Sequence, residues 1–160
     1  MLAIRVLCVG KLKERFYTEA AAEYEKRLGP FCKLELIELQ EERLGERPSQ
    51  AEIDAALQRE SERIERKFLK DASLIALCVE GKQLSSEEVS ELLTRTEGSG
   101  RSRMNLVIGG SFGLAPDIKA RADLRLSMSK MTFPHHLARV MLLEQIYRGF
   151  QIRDGSRYHK

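Results

Sequence analysis

Four stretches of this 160-residue chain carry residue types from which a ligand site can be built. In the first, Gly109-Gly110-Ser111-Phe112-Gly113, paired glycines let a backbone turn sharply and approach a flat ligand, because no Cβ intervenes. Ser111 lacks the Gly-x-Ser-x-Gly frame of a hydrolase nucleophile. The second, Met128-Ser129-Lys130-Met131-Thr132-Phe133-Pro134-His135, offers main-chain polar groups between apolar side chains, a composition that can bind the edge and enclose the faces of a ring. The third is Glu80-Gly81-Lys82, and the fourth is the terminus, Arg153 to Lys160. There Tyr158 and His159 stand among Arg157 and Lys160, a mixture suited to stacking on a base and holding phosphate. The adjacent His135 and His136 diverge by about 100° on a helix, so they are expected to face apart, with His135 starting a helix and bonding loop backbone.

These stretches need a scaffold, and the hydrophobic pattern supplies one. Leu2 to Val9 is short and nearly all apolar, as in a strand covered on both faces of a parallel sheet. Residues 14 to 28 form an amphipathic helix with Phe16, Ala20, Tyr24 and Leu28 on its core stripe, closed by Gly29-Pro30. Leu34 to Leu39 partly alternates, which suits a strand near a sheet edge. Ser49 and Glu52 make a capping box for a helix whose stripe is Ile53, Leu57, Ile64 and Phe68. Ser73 to Val79 is a third strand, Ser85 opens a third helix, and Met104 to Ile108 is a fourth strand. A short helix from Pro116, a brief strand from Leu124 to Ser129 and a long apolar helix after His135 complete the order. Alternating strands and helices predict an α/β fold, an open and mostly parallel sheet flanked by helices, in one domain spanning residues 1–160. In such sheets the ligand lies beyond the carboxyl ends of the strands, where the glycine turn and the Met128 loop are expected. The last helix is apolar beyond one stripe, through Leu137, Val140, Met141, Leu142, Leu143, Ile146, Tyr147 and Phe150, which predicts a dimer built on it.

Composition narrows the function classes. With 42% hydrophobic and 32% charged residues, the chain has the content of a globular core, and its apolar runs are too short to span a bilayer. With no apolar stretch of signal-peptide length at its start, it is expected in the cytoplasm, without a membrane partner. Cys8, Cys32 and Cys78 lie far apart in or beside apolar runs and read as buried thiols, and no structural metal site is expected from the ligand spacing. Gly-x-Gly-x-x-Gly and Gly-x-x-x-x-Gly-Lys-Ser/Thr are both missing, which sets aside dinucleotide and P-loop folds. Residues 1–80 hold 14 Lys/Arg against 16 Asp/Glu, whereas residues 81–160 hold 13 against 8. The basic excess gathers at the end, at Arg139, Arg148, Arg153, Arg157 and Lys160, a distribution compatible with a phosphate-bearing partner.

Five ordered segments resemble the RlmH family along the whole chain: Leu77 to Lys82, Val107 to Leu114, Ser127 to His135, Glu144-Gln145-Ile146-Tyr147-Arg148, and Tyr158-His159-Lys160. These are SPOUT-class methyltransferases that modify N3 of a pseudouridine in 23S ribosomal RNA. The resemblance implies a C-terminal trefoil knot, S-adenosylmethionine as cofactor and a homodimer. It implies cofactor contacts at Leu77, Gly109, Met128, Ser129, Lys130, Met131, Thr132 and Phe133. Tyr158 and His159 would position the target base, His159 accepting its proton directly or through water, and Arg148, Arg157 and Lys160 would engage RNA in the large subunit or assembled ribosome. A non-catalytic ribosome-associated binding protein and a SPOUT methyltransferase acting on tRNA are the alternative readings.

Overall fold

A computed structural model describes residues 1–160. Five parallel strands, β1 (Leu2–Val9), β2 (Cys32–Leu39), β3 (Ser73–Gln83), β4 (Arg103–Ile108) and β5 (Leu124–Ser127), lie in the order β2-β1-β4-β3-β5. Five helices connect and follow them: α1 (Arg15–Leu28), α2 (Gln50–Glu65), α3 (Ser86–Gly98), α4 (Pro116–Arg121) and α5 (His135–Arg153). The central strands bury both faces, and their period of two sorts side chains between two cores. Leu2, Ile4, Val6 and Cys8 join Met104, Leu106 and Ile108 beneath α1, α3 and α5, where Leu93, Leu143, Ile146 and Phe150 meet them. Leu7 and Val9 join Leu74, Ala76 and Val107 on the other face, against Ile64 of α2 and Ile118 of α4. β2 is an edge strand and alternates in burial, as its sequence implies.

Local chemistry accounts for the helix starts. Ser49 accepts the Glu52 N–H at 3.1 Å while the Glu52 carboxylate accepts the Ser49 N–H, and Ser85 and Glu88 repeat the exchange at the head of α3. No helix is long and apolar enough to cross a membrane.

The fold corrects several local expectations. Phe16 is 64% exposed rather than on the core stripe of α1, which turns Tyr17, Ala20, Ala21, Tyr24 and Leu28 inward instead. The buried face of α2 is Ala56, Glu60, Ser61 and Ile64, with Ile53, Leu57 and Phe68 half-buried; Glu60 is admitted because its carboxylate accepts the Glu42 N–H at 2.8 Å. β5 ends at Ser127, two residues early, because the Ser127 hydroxyl turns back to the Ser129 carbonyl. Cys8 and Cys32 are buried, but Cys78 is only half-buried.

The basic end is also largely neutralised. Arg139 is 3% exposed and binds the Glu38 carboxylate at 2.7 Å, Arg148 pairs with Glu144, and Arg153 pairs with Glu97 and Asp154. Arg157 and Lys160 remain exposed.

Candidate active site

The carboxyl end of β4 leads into a turn that only glycine can make at its first position. A Cβ on Gly109 would stand 2.3 Å from the Gly113 carbonyl oxygen, and Gly113 itself has φ +81° while its N–H donates to the Gly110 carbonyl at 3.1 Å. A loop carboxylate closes the turn from behind: Glu41 accepts both the N–H and the hydroxyl of Ser111 at 3.0 Å. The hydroxyl and N–H of Ser111 are thus both tied to one carboxylate oxygen, which clamps the turn.

β3 forms the adjoining wall and runs four residues beyond its expected end, so Glu80-Gly81-Lys82 belongs to a strand rather than a loop. Its register against β5 jumps between Leu77 and Lys82, both of which face Leu126. The intervening residues bulge outward, and Gly81 passes so close to β5 that a Cβ would lie 2.6 Å from the Arg125 carbonyl oxygen. Lys119 of α4 pins this bulge through Glu80 at 2.7 Å. The third wall is the loop after β5, held by the Met131 N–H donating to the Ser129 hydroxyl at 3.1 Å.

These walls enclose a cavity of about 660 Å³, of the size that accepts a small-molecule cofactor. Of the eight residues expected at a cofactor, seven line it: Leu77, Gly109, Met128, Ser129, Met131, Thr132 and Phe133. Lys130 is exposed and outside the lining. Eleven of the 21 lining residues are hydrophobic, so the cavity encloses an apolar face while its turns present main-chain polar groups. Cys78 also lines it; burial first and then the Glu80 charge push its thiol up, which keeps it protonated.

Sequence reasoning missed two features of the floor. His135 begins α5 and lines the cavity, but it does not bond loop backbone: its Nε2 is buried without a partner. Nor do the two imidazoles face apart, for their ring centres lie 4.1 Å from each other. Burial, then the adjacent His136 and Arg139, hold the His135 imidazole below its ordinary range, against an opposing pull from Glu41. Arg139, one turn further on, ties α5 to the Glu38 carboxylate at 2.7 Å and to the Gly10 carbonyl at 3.1 Å. A loop of acidic residues after an edge strand was the only sequence signal for Glu41, and nothing in the periodicity marked Arg139.

The terminus lies elsewhere. Tyr158 donates to Glu144 at 3.2 Å and packs edge-on to Tyr147, with the Arg148 guanidinium 4.7 Å from its ring centre. His159 is held between Arg148 at 3.2 Å and Glu87 at 2.8 Å. Burial and the Glu144 charge push the Tyr158 phenol up, so it remains a donor. None of Arg148, Arg157, Tyr158, His159 and Lys160 lines the cavity of its own chain. Glu144 and Arg148 sit six and ten residues beyond Ala138 at the cavity floor, roughly 9–15 Å along the axis of α5.

Comparison with known proteins agrees with this architecture. A family model described as "Predicted SPOUT methyltransferase" matches residues 2–159. A protein of Streptococcus equi subsp. zooepidemicus named "Ribosomal RNA large subunit methyltransferase H" is 45% identical over 159 residues, covering 99% of this chain and 100% of its own length. A protein of the same name from Syntrophomonas wolfei subsp. wolfei is 46% identical over 156 residues, covering 98% of each chain. Among solved structures, a probable methylase family protein from Haemophilus influenzae shares the fold at a TM-score of 0.53 and 12% identity, over 98% of this chain and 70% of the other. The strand order, the glycine turn beyond β4 and these matches agree: the chain belongs to the SPOUT methyltransferase family.

Proposed function

We propose that this chain, acting as one domain in the cytoplasm, methylates 23S ribosomal RNA of the large subunit at N3 of a pseudouridine, using S-adenosylmethionine held in the cavity beyond β3, β4 and β5. The observation that carries the reading is the convergence of the β3 bulge, the Gly109 turn and the Met128 loop on one cavity, in a chain 45% identical over its length to proteins named for large-subunit ribosomal RNA methylation. The residues present fit the cofactor. The tight turn that Gly109 permits lines the cavity with backbone, and Met128, Met131 and Phe133 supply apolar surface beside main-chain donors and acceptors. When bound, the cofactor supplies a methyl group on a positively charged sulfur, already electrophilic.

The protein's part is then alignment and removal of one proton. Leu77, Gly109, Met128, Ser129, Met131, Thr132 and Phe133 would hold the adenosyl portion, with Lys130 outside the cavity lining. Tyr158 and His159 orient the target base so that its N3 meets the methyl group in line, with His159 a candidate to take the N3 proton. Arg148, Arg157 and Lys160 engage the RNA backbone. Because these groups stand on the flank of α5 away from their own cavity, we assign them to the cavity of a second copy. Support for a homodimer through α5 comes from Leu137, Val140, Met141 and Tyr147, which one chain leaves only half-buried. The family also implies that the C-terminal part of the chain closes as a trefoil knot.

Two measurements test the proposal. Calorimetry with S-adenosylmethionine is expected to give one site per chain, and no binding at millimolar ligand would refute it. Ribosomes from cells lacking the protein, analysed by mass spectrometry, are expected to lack one methyl group on a pseudouridine, which the purified protein restores.

A further inference from the structure

The residues between β1 and α1 together with the first turn of α1, Lys11-Leu12-Lys13-Glu14-Arg15-Phe16-Tyr17, have no part in the cavity or in the terminus, yet they lie at the same end of the sheet as the cavity. Gly10, where it begins, is close to the cavity floor: a Cβ there would lie 3.6 Å from His135 Nε2. From that floor a file of rings runs outward. His135 and His136 have centres 4.1 Å apart, His136 and Tyr17 6.1 Å, and Tyr17 and Phe16 4.4 Å. The last ring is the exposed one, since Phe16 leaves 64% of its surface in solvent at the first turn of α1. The core stripe of α1 closes without it, so the ring is available to a partner.

The charges around Phe16 favour a polyanion. Lys11 and Lys13 are exposed and make no ion pair, Glu14 is the only unpaired acid among residues 11–17, and Arg15 is occupied by Glu19 at 2.7 Å. The N-cap of α1 is Glu14, which offsets the helix end, and the Glu38 carboxylate that accepts the Leu12 N–H at 3.0 Å is matched by Arg139, so the local positive charge is that of Lys11 and Lys13. An exposed ring flanked by lysines is the composition of a single-stranded nucleic-acid platform, in which the ring stacks on a base and the cations meet the adjoining phosphates.

We infer that Phe16, Lys11 and Lys13 form an RNA platform at the head of α1, beside the cavity floor, engaging unpaired nucleotides that flank the one in the cavity. The inference rests on the ribosomal RNA reading above and adds to it a second surface on which the substrate lies. The target strand would then be gripped at two places, by the terminus of one copy and the β1–α1 segment beside the cavity.

The test uses the full-length chain and a fluorescent single-stranded ribo-oligonucleotide, so that it does not depend on turnover. Phe16→Ala is expected to weaken binding about tenfold, Phe16→Trp to restore it, and Lys11→Gln with Lys13→Gln to lower the slope of log affinity against log salt by about 1.4. S-adenosylmethionine affinity and sedimentation are expected to stay at wild-type values. Equal RNA binding and an unchanged salt slope in these variants would overturn the platform. So would a loss of the oligomer in Phe16→Ala, which would assign the ring to a second copy of the chain. Methyl transfer to purified ribosomes, run in parallel, separates the two readings: a wild-type protein that binds the oligonucleotide through Phe16 but transfers no methyl group refutes the enzymatic reading and leaves the platform standing.

Discussion

The buried nitrogen of His135 shows how one residue can be read from its surroundings. Its ring is packed at the head of α5 between His136, Glu41 and Arg139, with Glu38 behind Arg139, and its Nε2 has no hydrogen-bond partner. Burial, His136 and Arg139 disfavour the imidazolium, and the Glu41 carboxylate only partly compensates. The folded chain therefore takes up this proton less readily than the unfolded chain, whose imidazole titrates near 6.5. Stability from this group is complete above that value and declines as pH falls through it toward the lower folded value. In thermal unfolding, the wild type and His135→Gln are expected to respond alike to pH above about 7, and the wild type is expected to lose more stability between about pH 6.5 and 5.5. Identical pH dependence in the two chains would assign the effect to another group. Cofactor affinity measured at pH 7.5 and 5.5 should follow the same contrast, because His135 stands on the cavity floor.

At the scale of elements, helix packing makes the clearest demand. α3 and α5 meet where Ser90 donates its hydroxyl to the Gly149 carbonyl at 2.7 Å, an approach that leaves little room for a side chain at 149. A Cβ on Gly149 would come within 2.8 Å of Leu93 Cδ1 and 3.4 Å of Ser90 Cα. Leu93 Cδ1 is the end of a flexible side chain, so Gly149→Ala should be close to neutral, its steric cost offset by about 1 kcal/mol of helix preference. Gly149→Val adds a branch that Leu93 cannot evade and is expected to destabilise by roughly 1–3 kcal/mol in urea unfolding. A valine variant as stable as the wild type would mean the helices stand further apart.

The same scale shows what the sequence conveyed. Strand order apart, the parallel sheet was legible because β1, β3 and β4 are apolar on both faces, and the α2 start was legible because Ser49 and Glu52 are three residues apart. The cavity walls were legible because glycine turns are local. Arg139 was not, since its partner Glu38 lies 101 residues away and a charge count places it in the basic excess of the last helix. Phe16 was misread for a related reason: a four-residue spacing admits two adjacent stripes, and contact with α5 selected Tyr17 and Ala21 over it.

For the whole molecule, the separation of cavity and terminus is the observation that motivates the proposed homodimer. A chain whose Tyr158 and His159 are tied to Glu144, Arg148 and Glu87 cannot use them over its own cavity without breaking those contacts. A two-fold partner across α5 supplies a terminus without that rearrangement, because each half of an isologous interface receives what it gives. Subunit mixing distinguishes the cases. A chain truncated after Asp154 keeps its cavity but lacks the terminus, whereas Gly109→Ala keeps the terminus but crowds the cofactor turn, where the new Cβ would meet the Gly113 backbone. Each alone is expected to be inactive, and the truncated chain is expected to bind S-adenosylmethionine normally. Equal mixtures that re-equilibrate should recover about a quarter of wild-type methyl transfer, because half the dimers are mixed and each mixed dimer holds one complete site. If each cavity is served by its own terminus, no mixed dimer contains a complete site and the mixture remains inactive, while sedimentation still reports a dimer. That outcome would require the terminus to leave Glu144 and Glu87 during turnover. Loss of fluorescence contact between a probe at position 158 and α3 on adding cofactor and ribosomes would then be the expected sign.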